Sequence, residues 1–109
     1  LQAHYTHMKN LFAGGLQQLG FKITEPQGAY YVLLDVSEFG VQDDYAFAAW
    51  MAEKVGVAAV PGSSFFREPV HHLVRFHFAK EDATLNEALN RLESLSRQAK
   101  SGNHAWQKR

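Results

Sequence analysis

The sequence contains no cysteine. Disulfides, thiolate metal sites and cysteine nucleophiles are therefore excluded from its chemistry. In a chain of 109 residues that absence says little about compartment. Long apolar runs are missing too. The longest, such as Ala46 to Ala52, are far below the roughly 18 residues a membrane helix requires, so no membrane partner is expected. No charge of one sign dominates: 11 Lys and Arg balance 11 Asp and Glu, without a basic block. Nucleic acid is therefore not the expected partner, because phosphate binding is carried by clustered Lys and Arg. The first residues, Leu1-Gln2-Ala3-His4, are neither an initiator methionine nor a signal peptide. They open inside a helical pattern, as if cut from something longer. What remains is ordinary for one soluble domain with one core: 46% hydrophobic and 20% charged residues.

Tyr5, Met8, Phe12, Leu16 and Leu19, with Leu11 beside them, predict an amphipathic helix from about residue 1 to 19, stopped by Gly20. Gly14-Gly15 inside it costs about 1 kcal/mol per glycine against alanine. Either another element packs close there or the helix bends. Phe21-Lys22-Ile23 suits a short edge strand, and Glu25 to Gly28 a turn. Ala29 to Asp35 is apolar and aromatic with little alternation, the pattern of a strand covered on both faces. After a loop, Asp43 or Asp44 caps a second helix whose buried stripe is Phe47, Trp50, Met51 and Val55, ended by Gly56. Val57 to Val60 is read as a strand stopped by Pro61-Gly62, and Ser63 to His72 as a loop carrying Phe65-Phe66. A last helix begins near Glu81-Asp82 and buries Leu85, Ala88, Leu89, Leu92 and Leu95. Ser101 to Arg109 lacks periodicity and is read as a loose tail behind a single domain of residues 1–100.

Between them lies the stretch Leu73 to Lys80. At the period of a strand, Val74, Phe76 and Phe78 face the core, while Leu73, Arg75, His77 and Ala79 face the other way. The expected fold is α+β, a two-layer sandwich with a small three-stranded sheet and helices on one face. Tyr30 or Tyr31, with Arg75 and His77, would lie on the open face, where an apolar surface calls for a covering domain. Periodicity alone favours an arginine that faces water. His4 and His7 share a helix face without a third metal ligand, so a solvated face is the reading and no metal is expected. His71 and His72 are adjacent and point opposite ways in an extended segment.

Three segments change the balance for Arg75. They are Pro26-Gln27-Gly28-Ala29-Tyr30-Tyr31 with Asp35; Val57-Ala58-Ala59-Val60-Pro61-Gly62-Ser63-Ser64-Phe65; and Val74-Arg75-Phe76-His77-Phe78-Ala79-Lys80-Glu81-Asp82-Ala83-Thr84-Leu85. In this order and spacing the chain resembles the C-terminal small domain of fold-type I aminotransferases of class I and II, which use pyridoxal 5'-phosphate. The ending of the third segment is similar to the kynurenine, glutamine and methionine aminotransferase branch. The resemblance implies a transfer of an amino group between an amino acid and a 2-oxo acid, in a cytoplasmic homodimer. It implies that Arg75 binds the substrate α-carboxylate, since a planar fork makes two parallel bonds to such a group. It places Tyr30, Ser64 and Phe65 near the substrate entrance. The Schiff-base lysine and the phosphate-binding groups of that family belong to a preceding large domain. The lysines here do not match that motif, so the chain is expected to be a domain or fragment that does not hold the cofactor or act alone. Related pyridoxal-phosphate carbon–sulfur lyases and cyclopropane-carboxylate synthases share the domain and the arginine. A non-catalytic binding or structural domain is the reading from another class.

Overall fold

A computed structural model of the chain describes residues 2–64, 70–102 and 105–108. Seven regular elements follow in order: α1 (Gln2–Gln18), β1 (Lys22–Thr24), β2 (Tyr31–Asp35), α2 (Asp44–Trp50), β3 (Val60–Pro61), β4 (Leu73–His77) and α3 (Asp82–Ser101). The strands form one antiparallel sheet in the order β1-β2-β4-β3. The architecture is the expected α+β sandwich. Its fourth strand is the short edge strand after α1, which adds Lys22–Thr24 to the three main strands.

Alternation along β4 sorts its side chains. Val74 and Phe76 are buried, and Phe78 follows them just past the strand, while Arg75 is half-buried and His77 exposed. Val32 and Leu34 do the same in β2. One cluster joins these residues to Met8, Phe12 and Leu16 of α1, Phe47 of α2 and Leu85, Leu92 and Leu95 of α3. Each such side chain contributes about 1.5–3 kcal/mol by leaving water. Phe12 meets Phe76 edge to face at 6.0 Å between ring centres, which ties the helix layer to the sheet. The glycine pair of α1 resolves in favour of close packing: a Cβ on Gly15 would lie 2.6 Å from Leu89 Cδ1 of α3, whereas one on Gly14 meets nothing within 4 Å.

The second helix ends at Gly56 as expected, but its last part, Met51–Val55, is a wider π turn closed by the Gly56 N–H donating to the Met51 carbonyl at 2.7 Å. Two expectations are corrected. The strand expected over Val57 to Val60 lies instead at Val60–Pro61. The Val57 N–H is used at the helix end, on the Met51 carbonyl, and its side chain enters the core, so the chain cannot begin pairing there. Pro61 is tolerated because β3 is an edge strand. The described part of the tail is not loose. Ala105–Lys108 form a turn whose Trp106 is 4% exposed and packs on Phe47 and Trp50 at 5.1 and 5.7 Å.

Candidate functional site

The face of the sheet turned away from the helix cluster carries a row across all four strands. Register pairs Thr24 with Leu33, Leu33 with Arg75, and Arg75 with Val60. Arg75 is thus flanked by two apolar side chains in the middle of the sheet. The next row pairs Tyr31 with His77. The Arg75 guanidinium carbon lies 5.1 Å from the centre of the Tyr31 ring, a cation–π contact. An arginine so placed offers parallel N–H donors in surroundings less polar than water, which suits a carboxylate.

Other residues singled out in the sequence lie elsewhere. Tyr30 is 41% exposed and belongs to the opposite side, where its ring packs on Tyr5 at 5.0 Å and Phe78 at 5.9 Å. Of the two adjacent tyrosines, Tyr31 is the one over Arg75. Ser64 is exposed, and its hydroxyl donates to the Pro61 carbonyl at 2.7 Å. Phe65 and Phe66 lie outside the described residues. The exposed His77 lies beside its own strand end, with Nδ1 3.4 Å from the Ala79 N–H. His7 meets Asp82 of α3 at 2.8 Å. Among the described residues no three metal-binding side chains cluster, and no helix is long and apolar enough to cross a membrane.

A second feature, at the turn that follows β3, has little local sequence signal. Asp43 caps α2, its Oδ1 accepting from the Ala46 N–H at 3.1 Å. Asp44 is therefore not needed for the cap, and it is fully buried. One of its oxygens accepts the Ser63 N–H at 2.7 Å and the other the Ser63 hydroxyl at 2.9 Å, with His71 Nδ1 at 3.5 Å. Burial raises its pKa, yet the Ser63 and His71 contacts outweigh that and leave it below the ordinary value of 3.8. Asp35 is lowered likewise: burial opposes the shift, and hydrogen bonds from Ser37 with the charges of His72 and Lys22 prevail. The only clue to Asp44 in the sequence is that a second aspartate stands where one suffices for a cap.

The described residues form no site that fits pyridoxal phosphate. A Schiff-base lysine needs a closed site, and the phosphate needs several convergent N–H donors. Lys22, Lys54, Lys80 and Lys100 are exposed, and Lys9 is half-buried on α1. A cavity of about 450 Å³ between Gly56 and α3 is lined by Lys80 and Arg91, but the Arg91 guanidinium already donates to Glu87 and to the Gly56 carbonyl. That cavity is also lined by core-facing Phe12 and Phe76, so it is not the Arg75 site.

Known proteins with this pattern form a consistent set. The profile of the family described as aminotransferase class I and II matches residues 1–92. The chain is 38% identical over 98 residues to a probable N-succinyldiaminopimelate aminotransferase of Mycobacterium tuberculosis, covering 81% of this chain and 25% of that protein. It is 35% identical over 92 residues to the methionine aminotransferase of Escherichia coli, covering 84% and 24%. The solved N-succinyldiaminopimelate aminotransferase of M. tuberculosis superposes with a TM-score of 0.77 at 39% identity, over 87% of this chain and 25% of that one. The chain spans about a quarter of the length of the curated relatives it matches.

Proposed function

As the chain belongs to the class I and II aminotransferase family, we propose that it is the substrate-binding small domain of a pyridoxal-phosphate aminotransferase. The parent moves an amino group from an amino acid to a 2-oxo acid. The observation that carries this reading is Arg75, held between Leu33 and Val60 on the open face of the sheet, with Tyr31 against its guanidinium. Both substrates present a carboxylate, so one fork serves both halves of the exchange. Holding that carboxylate at two points fixes where the α-amino group stands, and catalysis gains by orientation. The cofactor, the lysine that bonds to it and the phosphate-binding groups are supplied by the rest of the parent. The parent is a cytoplasmic homodimer, and its remaining part covers the open face. Lyase chemistry on the same domain is the alternative; no feature of this chain favours it.

The test uses the full-length parent with its cofactor. Amino-group transfer to a 2-oxo acid is expected from an amino acid and, far more slowly, from the matching amine that lacks the carboxylate. In Arg75→Ala the preference for the acid should collapse. Loss of one partner of a desolvated charge pair costs about 2–5 kcal/mol, on the order of 30- to several-thousand-fold in kcat/KM. If wild type and mutant discriminate equally, Arg75 is not the carboxylate ligand. If elimination rather than transfer is the main reaction, the lyase reading replaces this one.

A further inference from the structure

We infer that Asp44 is a positioning residue, a buried carboxylate that sets the wall beside Arg75 by holding Ser63. This rests on the proposed role of Arg75. Burying a carboxylate is costly unless hydrogen bonds replace its water, and Asp43 already caps the helix. What Asp44 holds is therefore the reason to look at it. Both oxygens accept from one residue, Ser63, through its N–H at 2.7 Å and its hydroxyl at 2.9 Å. Ser63 is the middle of the Gly62–Ser64 turn that follows β3.

The same turn is pinned from its other side. A Cβ on Gly62 would lie 2.7 Å from the Leu73 carbonyl oxygen, so the backbone of the turn is pressed on the start of β4. Leu73 is two residues before Arg75, and Val60, two residues before Gly62, is the cross-strand neighbour of Arg75. Asp44 therefore clamps the turn from the α2 side while Leu73 abuts it from the β4 side. Together they fix the end of β3, the strand whose Val60 is paired with Arg75. Serine, aspartate and histidine in contact invite a nucleophile reading, but the connections are wrong for one. The Ser63 hydroxyl donates to the carboxylate itself, and the histidine contact is on the carboxylate too. Among the described residues the hydroxyl thus has no imidazole placed to take its proton. The arrangement holds a loop; it does not attack a substrate.

The test measures KM and kcat separately in the full-length parent carrying Asp44→Asn, Ser63→Ala or Ser63→Thr. Asp44→Asn keeps the shape but replaces one acceptor oxygen by a donor and removes the charge that strengthens both bonds. It should raise KM for the amino acid on the order of 10-fold, with kcat changed less than about 3-fold, the pattern of lost substrate binding. Ser63→Ala should move KM the same way by less, because the N–H bond remains. Ser63→Thr keeps the hydroxyl and should restore the wild-type KM. If Asp44→Asn does not fold, the Ser63→Ala and Ser63→Thr pair carries the same comparison. An active enzyme in which these changes lower only the melting temperature, with KM unmoved, overturns the inference and leaves the role of Arg75 standing. A wild-type parent with no transfer or lyase activity overturns both.

Discussion

Arg75 differs from a lysine in its place by geometry more than by charge. Arg75→Lys keeps a cation beside Leu33 and Val60 but offers a point where two parallel donors stood. We expect kcat/KM for the amino acid to fall on the order of 10-fold, between wild type and Arg75→Ala. Equal loss in the Lys and Ala variants would mean that shape matters and charge does not. Asp44 and Asp35 give a residue-scale prediction for stability. Both pKa values are lowered in the folded chain, so in acid the unfolded chain takes up protons first. Their stabilisation is full above the ordinary value of 3.8 and is lost as pH falls through the folded values. Melting temperature recorded between about pH 2.5 and 6 should drop at the acid end. Asp44→Asn should flatten part of that drop; an unchanged slope would mean that its bonds to Ser63 do not favour the charged form. The face that Arg75 occupies was visible in the sequence because alternation makes every second residue of a strand share a face; its proposed role came only from the resemblance of three segments to a known family. The choice of Tyr31 over Tyr30 was not visible, because register depends on the partner strand. Asp44 and Ser63 were invisible because no local pattern links a helix start to a turn beyond the next strand.

At the scale of elements, two neighbouring glycines of α1 separate propensity from packing. Gly14→Ala adds a methyl to open space and should raise stability by about 0.5–1 kcal/mol. Gly15→Ala gains the same propensity but must displace the Leu89 side chain, 2.6 Å away, and overpacking costs about 1–3 kcal/mol. Urea midpoints should therefore move in opposite directions. If they move together, Leu89 yields freely and the close approach of α1 and α3 is not a constraint. Helix stripes were legible because their period is local. The displaced β3 and the docked Trp106 were not, since each depends on what lies across the fold: a carbonyl at the end of α2 for the first, Phe47 and Trp50 for the second. Trp106→Ala should cost about 3 kcal/mol in urea unfolding. A loose tail would give less than about 0.5 kcal/mol.

At the scale of the whole molecule, the two-layer architecture could be read because one face of β4 is fully apolar and the helices supply matching stripes. The interior place of Leu73–His77 was legible too, since its core face is wholly apolar, but the order of the strands around it was not, because that is set by pairing at long range. The open face, with Val60 38% exposed beside Arg75 and Tyr31, should make the isolated chain self-associate. Sedimentation over a range of concentrations checks this, and a strict monomer at high concentration would count against a missing covering domain. The strand order carries a further consequence, for how the chain comes to be folded at all. The paired residues of β3 all lie in β4, and β4 also completes the pairing of β2. A ribosome that has delivered everything up to Pro61 has made a hairpin of β1 and β2 and an edge strand with nothing to pair against. The keystone strand arrives last, so sheet closure waits for its emergence and must then bridge long stretches of chain, a topology that folds slowly for its size. Until then Val32 and Leu34, which end with no exposed surface, lack their β4 neighbours. That interval is when the nascent chain most needs shielding from others like itself.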